Sequence, residues 1–98
     1  MIVVMNHIKV KKEYATAFEE GFKEREHLVD NFPGFISNMI MRPVKDESYI
    51  VMTQWESMGH FESWTSSEEF KKAHSRSSLP KEAFVDSYLT IHEVFSKT

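Results

Sequence analysis

Cysteine is absent from all 98 residues. That excludes a disulfide framework, a thiolate metal site and a cysteine nucleophile. There is no basic run, and the formal net charge is only −3, which argues against nucleic acid or an anionic membrane as the main partner. No apolar run approaches the roughly 18 residues of a membrane span. Met1-Ile2-Val3-Val4-Met5-Asn6-His7 has no basic n-region and too short an apolar run for a signal peptide, so a cytoplasmic location is expected. No H-x-x-x-H or HExxH pair occurs, so no separate structural metal is expected. No paired general bases or nucleophile point to a hydrolase. Repeats, linkers and low-complexity stretches are also missing.

What is present describes a globular protein: 41% hydrophobic and 13% aromatic residues. The length suits a single domain over residues 1–98. A chain this short buries a modest core and often gains stability from a partner subunit.

Alternation predicts a strand over Ile2 to Val10, with Ile2, Val4, Asn6, Ile8 and Val10 on one face. A helix is predicted from Lys12 to about Asn31, with Tyr14, Phe18 and Phe22 on its apolar side, joined by Leu28 and Val29. Glu13, Glu19, Glu20, Lys23, Glu24 and Glu26 lie on its solvated side. Asn31-Phe32-Pro33-Gly34 is a turn. Strands follow at Phe35–Arg42 and Tyr49–Trp55, joined through the polar Lys45–Ser48 hairpin. A short helical turn and a longer helix come next, then a loop over residues 77–82 and a strand from Phe84 to Phe95. The order β-α-β-β-α-α-β predicts an α+β, ferredoxin-like antiparallel sheet with helices on one face. Helices cover one face only, yet the strands carry apolar groups on both, among them Val3, Met5, Met39, Met41, Ile50 and Met52. The bare face predicts a homodimer packed sheet on sheet, a dimeric α/β barrel.

The most informative stretch is Phe61 to His74. Ser66 and Glu69 have capping-box spacing, which predicts a helix from Ser67 to about Arg76. Phe70, Ala73, His74 and Ser77 form one stripe on it, carrying His74 inward. Phe61 and Trp64 are an i, i+3 pair just before. An imidazole on an apolar stripe is by itself more often a satisfied core residue than a ligand. Asn6 is the odd member of an aliphatic strand face. Buried unpaired, its amide costs roughly 1–3 kcal/mol, so it needs backbone, water or ligand as partner. A cavity surrounded by an amide, an imidazole and an indole suits a planar, mostly apolar, metal-containing ligand.

Asn6-His7-Ile8, Phe61-x-x-Trp64 and Ser67-x-x-Phe70-x-x-Ala73-His74, with the Pro33-Gly34-Phe35 turn and Trp55-Glu56-Ser57, resemble the IsdG-type haem-degrading monooxygenases of the antibiotic-biosynthesis-monooxygenase superfamily. The likeness covers essentially the whole chain. It implies that haem is both cofactor and substrate, opened to a tetrapyrrole with release of iron, using O2 and an external electron donor (a reductase or a small reductant). It implies His74 as proximal ligand to the iron and Asn6 as distal donor to bound oxygen. Trp64 would press the porphyrin out of plane, with Phe70 beside it in the binding pocket. Arg25 and Arg76 are candidate propionate partners. His7 and His92 are expected on the sheet away from the pocket or at its edges, and His27 and His60 on the surface. Two other functions fit the same pocket: a cofactor-independent monooxygenase of an aromatic or quinol substrate, and a non-catalytic dimer that binds haem or another small apolar ligand.

Overall fold

The computed structural model describes residues 1–23, 28–74 and 79–98, and the side chains of all of these but Ala73 and His74. Four strands, β1 (Ile2–Val10), β2 (Phe35–Met41), β3 (Tyr49–Trp55) and β4 (Phe84–Glu93), form one antiparallel sheet in the order β2-β3-β1-β4. β3 lies between β1 and β2, and β1 lies between β3 and β4. Each β-helix-β crossover therefore straddles one strand, which is the ferredoxin-like arrangement predicted. The sheet is open at both edges. No helix among the described residues is long and apolar enough to cross a membrane.

The predicted long helix is shorter and has tighter turns at its ends. Lys12–Tyr14 is a 3-10 turn, α1 spans Ala15–Lys23, and Val29–Asn31 is a second 3-10 turn. Lys11 occupies the first cap position with no capping side chain, so the entry closes through the Tyr14 N–H to Lys11 carbonyl bond of 2.9 Å instead. At the far end Pro33 holds Phe32 extended (φ −78°, ψ 138°). Gly34 then turns the chain at φ +85°. A Cβ there would lie 2.2 Å from the His60 ring, so both backbone and space demand glycine.

Ser57 caps α2 (Met58–Thr65) by accepting the His60 N–H at 3.2 Å. α3 spans Glu68–His74. The capping box expected at Ser66 lies one residue on. Ser66 instead ends α2, its N–H donating to the Glu62 carbonyl at 3.1 Å. Ser67 is the cap of α3, its hydroxyl accepting the Phe70 N–H at 3.1 Å and donating to the Trp64 carbonyl at 2.6 Å. The strands expected to run to Arg42 and Phe95 stop at Met41 and Glu93.

Register sorts side chains into faces. On the helix side run the rows Phe35–Trp55–Ile2–Glu93, Asn38–Thr53–Val4–Ile91 and Ile40–Val51–Asn6–Leu89, followed by Tyr49–Ile8–Ser87. The opposite side carries Met39–Met52–Met5–Thr90 and Met41–Ile50–His7–Tyr88. The main core sits at one end of the helix side: Ile2, Val4, Trp55 and Trp64 are buried, with Phe32, Phe35, Phe61 and Phe70 packed on them. A smaller aromatic group sits at the other end, where Phe18 meets Tyr49, Phe22 and Phe84 at centroid distances of 4.8, 5.0 and 6.3 Å.

Candidate functional site

Between these two aromatic groups the described residues leave the helix side of the sheet only partly covered. None of Ile40, Val51, Asn6 and Leu89 is buried, and on β4 Leu89 and Ile91 remain 52% and 41% exposed. The cause is length. α1, nine residues long, reaches the Tyr49 end through Phe18, and α2 and α3, of eight and seven residues, pack over Trp55 and Ile2 at the other. The result is an apolar floor with one amide in it.

That amide belongs to Asn6. Its expected burial is corrected: Asn6 is half-buried, and no polar side chain among the described residues is fully buried. No hydrogen bond of its side chain occurs among the described residues. The strand does carry Asn6 on the helix side, as alternation requires, opposite Val51 and Leu89.

Trp64 lies at the wall of the main core. It is 6% exposed and packs edge to face on Phe32 and Phe70, at 5.3 and 5.6 Å, and against Trp55 at 6.3 Å. Phe70 is half-buried. Asn6, two residues along β1 from the buried Val4, thus lies next to the core that Trp64 closes. His74 is the last residue of α3, and its side chain lies outside the described part. Arg25, His27, Arg76 and Ser77 also lie outside the described residues.

The remaining histidines have other settings. His7 is on the opposite face, stacked on Tyr88 (4.5 Å, 4°) with Nε2 3.1 Å from the Thr90 hydroxyl. His92 is on that face too, exposed. His60, expected at the surface, is half-buried over Gly34, with Nδ1 2.7 Å from the Ser57 hydroxyl. No cluster of three or more His, Asp or Glu suited to a metal ion occurs among the described residues.

One group was missed in the sequence. Glu19, assigned to the solvated side of α1, is half-buried. It accepts Arg42 Nε at 2.9 Å, and it also accepts Arg42 Nη2 and the Tyr49 hydroxyl. Hydrogen bonds from Arg42 first, then Tyr49, hold its carboxyl at about 2. Burial, and then the bond to Glu19, pushes the Tyr49 phenol up. This cluster ties α1 to β2 and β3 and borders a cavity of about 470 Å3 lined by Glu19, Phe22, Lys23, Ile40, Arg42 and Tyr49. The only signal in the sequence is that Glu19 sits beside Phe18 and three residues before Phe22, at the edge of the apolar stripe.

The class this geometry defines is a ferredoxin-like domain with an uncovered cleft between helices and sheet. Residues 1–76 match the antibiotic biosynthesis monooxygenase family, and the chain belongs to it. It is 41% identical over 64 residues to "Heme oxygenase (mycobilin-producing)" of Mycobacterium tuberculosis, a stretch covering 64% of this chain and 61% of that relative's length. It is 35% identical over 77 residues to "Heme oxygenase (staphylobilin-producing)" of Staphylococcus haemolyticus, covering 76% and 73% of the two chains. A solved structure of the heme degrader MhuD from Mycobacterium tuberculosis, with two hemes bound in its active site, superposes with a TM-score of 0.86 at 30% identity, covering 100% of this chain and 99% of that one.

Proposed function

We propose that this chain is a haem-degrading monooxygenase. It opens haem oxidatively and releases iron, with O2 and electrons from an external donor, either a reductase or a small reductant. The observation that carries the proposal is the half-buried Asn6 amide, without a side-chain hydrogen bond among the described residues, in the middle of an apolar floor on the sheet side that Trp64 and α3 border. The family membership and the haem-oxygenase relatives support it.

The residues suit a flat macrocycle. Leu89, Ile91 and Val51 offer apolar area beneath it, and burying a planar hydrocarbon there is worth about 25 cal/mol per Å2. Haem, when bound, supplies the iron and the oxygen chemistry. Asn6 Nδ2 donates a hydrogen bond to a polar atom above the row, at a place screened from bulk water once the floor is covered. Trp64, with Phe70 packed against it, would form a rigid wall against which a macrocycle is held. His74, at the C-terminal end of α3, is the proposed iron ligand through a neutral ring nitrogen. Residues 1–98 would form one domain. Two copies would pack their Met5–Met52 faces together as a homodimer, in a cytoplasmic setting where electron donors are available.

Titration with hemin tests this. The Soret band is expected to shift with the wild-type protein and not with His74→Ala. It is expected to decay when ascorbate is added in air, with iron passing to a chelator. A band that shifts and persists with reductant points to a non-catalytic haem carrier. No shift at all points to the cofactor-independent monooxygenase.

A further inference from the structure

The cavity between α1 and the edge strand β2 is not accounted for by the roles above. Ile40, on its floor, stands in the same cross-strand row as Asn6, with Val51 between them. Two strand spacings put Ile40 about 10 Å from Asn6. The cavity is thus the β2 end of the uncovered row, at the distance where the edge of a macrocycle centred near Asn6 would lie. Its lining is apolar at Phe22 and Ile40 and charged at Glu19, Arg42 and Lys23. The first two charges cancel, since Arg42 grips Glu19 through two nitrogens. Lys23 remains. Among the described residues its ion pair is with Glu20, at 3.3 Å, and its side chain is 71% exposed. Such an i, i+3 surface pair is worth a few tenths of a kcal/mol, so the ammonium swings away from it at little cost.

We propose that this cavity receives a carboxylate side chain of the ligand, with Lys23 Nζ as the charge partner and Phe22 and Ile40 against the methylenes. The assignment rests on the haem reading above, because haem carries its carboxylates on short flexible arms at one edge. Glu19 strengthens it indirectly. If Arg42 did not neutralise it, its carboxylate would repel an incoming anion; paired, it leaves the lining one positive charge in excess.

Equilibrium titration of wild type, Lys23→Gln and Lys23→Arg with haem and with haem dimethyl ester tests this. Lys23→Gln is expected to weaken haem binding about five- to tenfold, the value of one partly desolvated charge-assisted hydrogen bond. The ester, lacking the charge, is expected to bind wild type and Lys23→Gln alike. Lys23→Arg is expected to retain haem affinity, and all three proteins to melt together. Equal losses for haem and ester, or no loss for either, overturn the carboxylate site while leaving the haem reading intact. Failure of the wild type to bind either ligand overturns both.

Discussion

Asn6 of β1 and Leu89 of β4 stand directly opposite each other on the helix side of the sheet, yet Leu89 keeps 52% of its surface. Asn6 itself is half-buried, so the described residues leave the amide partly open on an apolar floor. Because Asn6 makes no side-chain hydrogen bond among the described residues, Asn6→Ala is expected to leave the melting temperature unchanged and haem bound. Removing one placed donor costs about 100-fold or more in rate where the donor acts in the transition state. Single-turnover Soret decay with reductant in air measures it. An undiminished rate would falsify the distal role.

Trp64 is structural before it is anything else. Truncating an indole that is 6% exposed costs about 3–5 kcal/mol, so Trp64→Ala is expected to be largely unfolded, as far-UV circular dichroism would show. Trp64→Phe keeps an aromatic wall against Phe32 and Phe70. It is expected to fold and bind haem while degrading it more slowly, because the smaller ring presses less on the macrocycle. A Trp64→Phe enzyme as fast as wild type would remove the indole from the mechanism.

The Glu19 carboxyl sits at about 2, below its ordinary 4.5, held there by Arg42 and Tyr49. The folded protein therefore binds fewer protons than the unfolded chain between those values, and stability falls as pH drops through them. Above about pH 5 the contribution is fully present; towards pH 2 it is gone. Wild type is expected to melt higher than Glu19→Gln at pH 7, with the gap closing below pH 4.5. Thermal melts across that range decide it, and a gap that does not depend on pH would rule out the carboxylate as the cause.

Gly34→Ala meets two penalties. The left-handed φ of +85° costs a residue with a Cβ about 1–2 kcal/mol, and the new Cβ collides with the His60 ring at 2.2 Å. Denaturant unfolding is expected to show a loss larger than the backbone cost alone. Adding His60→Ala removes the ring but leaves the His60 Cβ 2.4 Å from the new methyl, so it is expected to return only part of the collision cost. Full recovery in the double variant would mean the backbone angle costs nothing.

The face opposite the helices exposes Met39 by 51% and Tyr88 by 55%, next to Met52 and Met5 in one row. Since Met39 is open in the single chain, Met39→Asp is expected to leave the fold of one copy intact. In the paired sheets it would bury a carboxylate with no partner, which is prohibitive. Sedimentation is expected to show a dimer for wild type and a monomer for Met39→Asp. A variant that stays dimeric would move the interface elsewhere.

Alternation placed β1 to the residue, because a period of two has no helical counterpart, and β-branched and aromatic content placed β3 to the residue. Alternation also put Asn6 on the helix side. Helix ends were read less well. Ser66 and Ser67 are both competent caps, and three residues after each stands a group that can close the turn. The choice fell to Ser67 because Ser66 still has helical backbone angles as the last cap of α2 (φ −92°, ψ −2°), whereas a first cap residue needs a non-helical backbone.

Composition and periodicity determined the element order, the layer structure and the two apolar sheet faces, since these follow from local propensity and from which side chains avoid water. Only the tertiary structure decided that the Asn6–Leu89 row is left only partly covered by the described residues and that Glu19 is clasped by Arg42 and Tyr49. Both depend on how far each helix reaches over a sheet whose strand order brings distant segments together, and no local pattern encodes that distance.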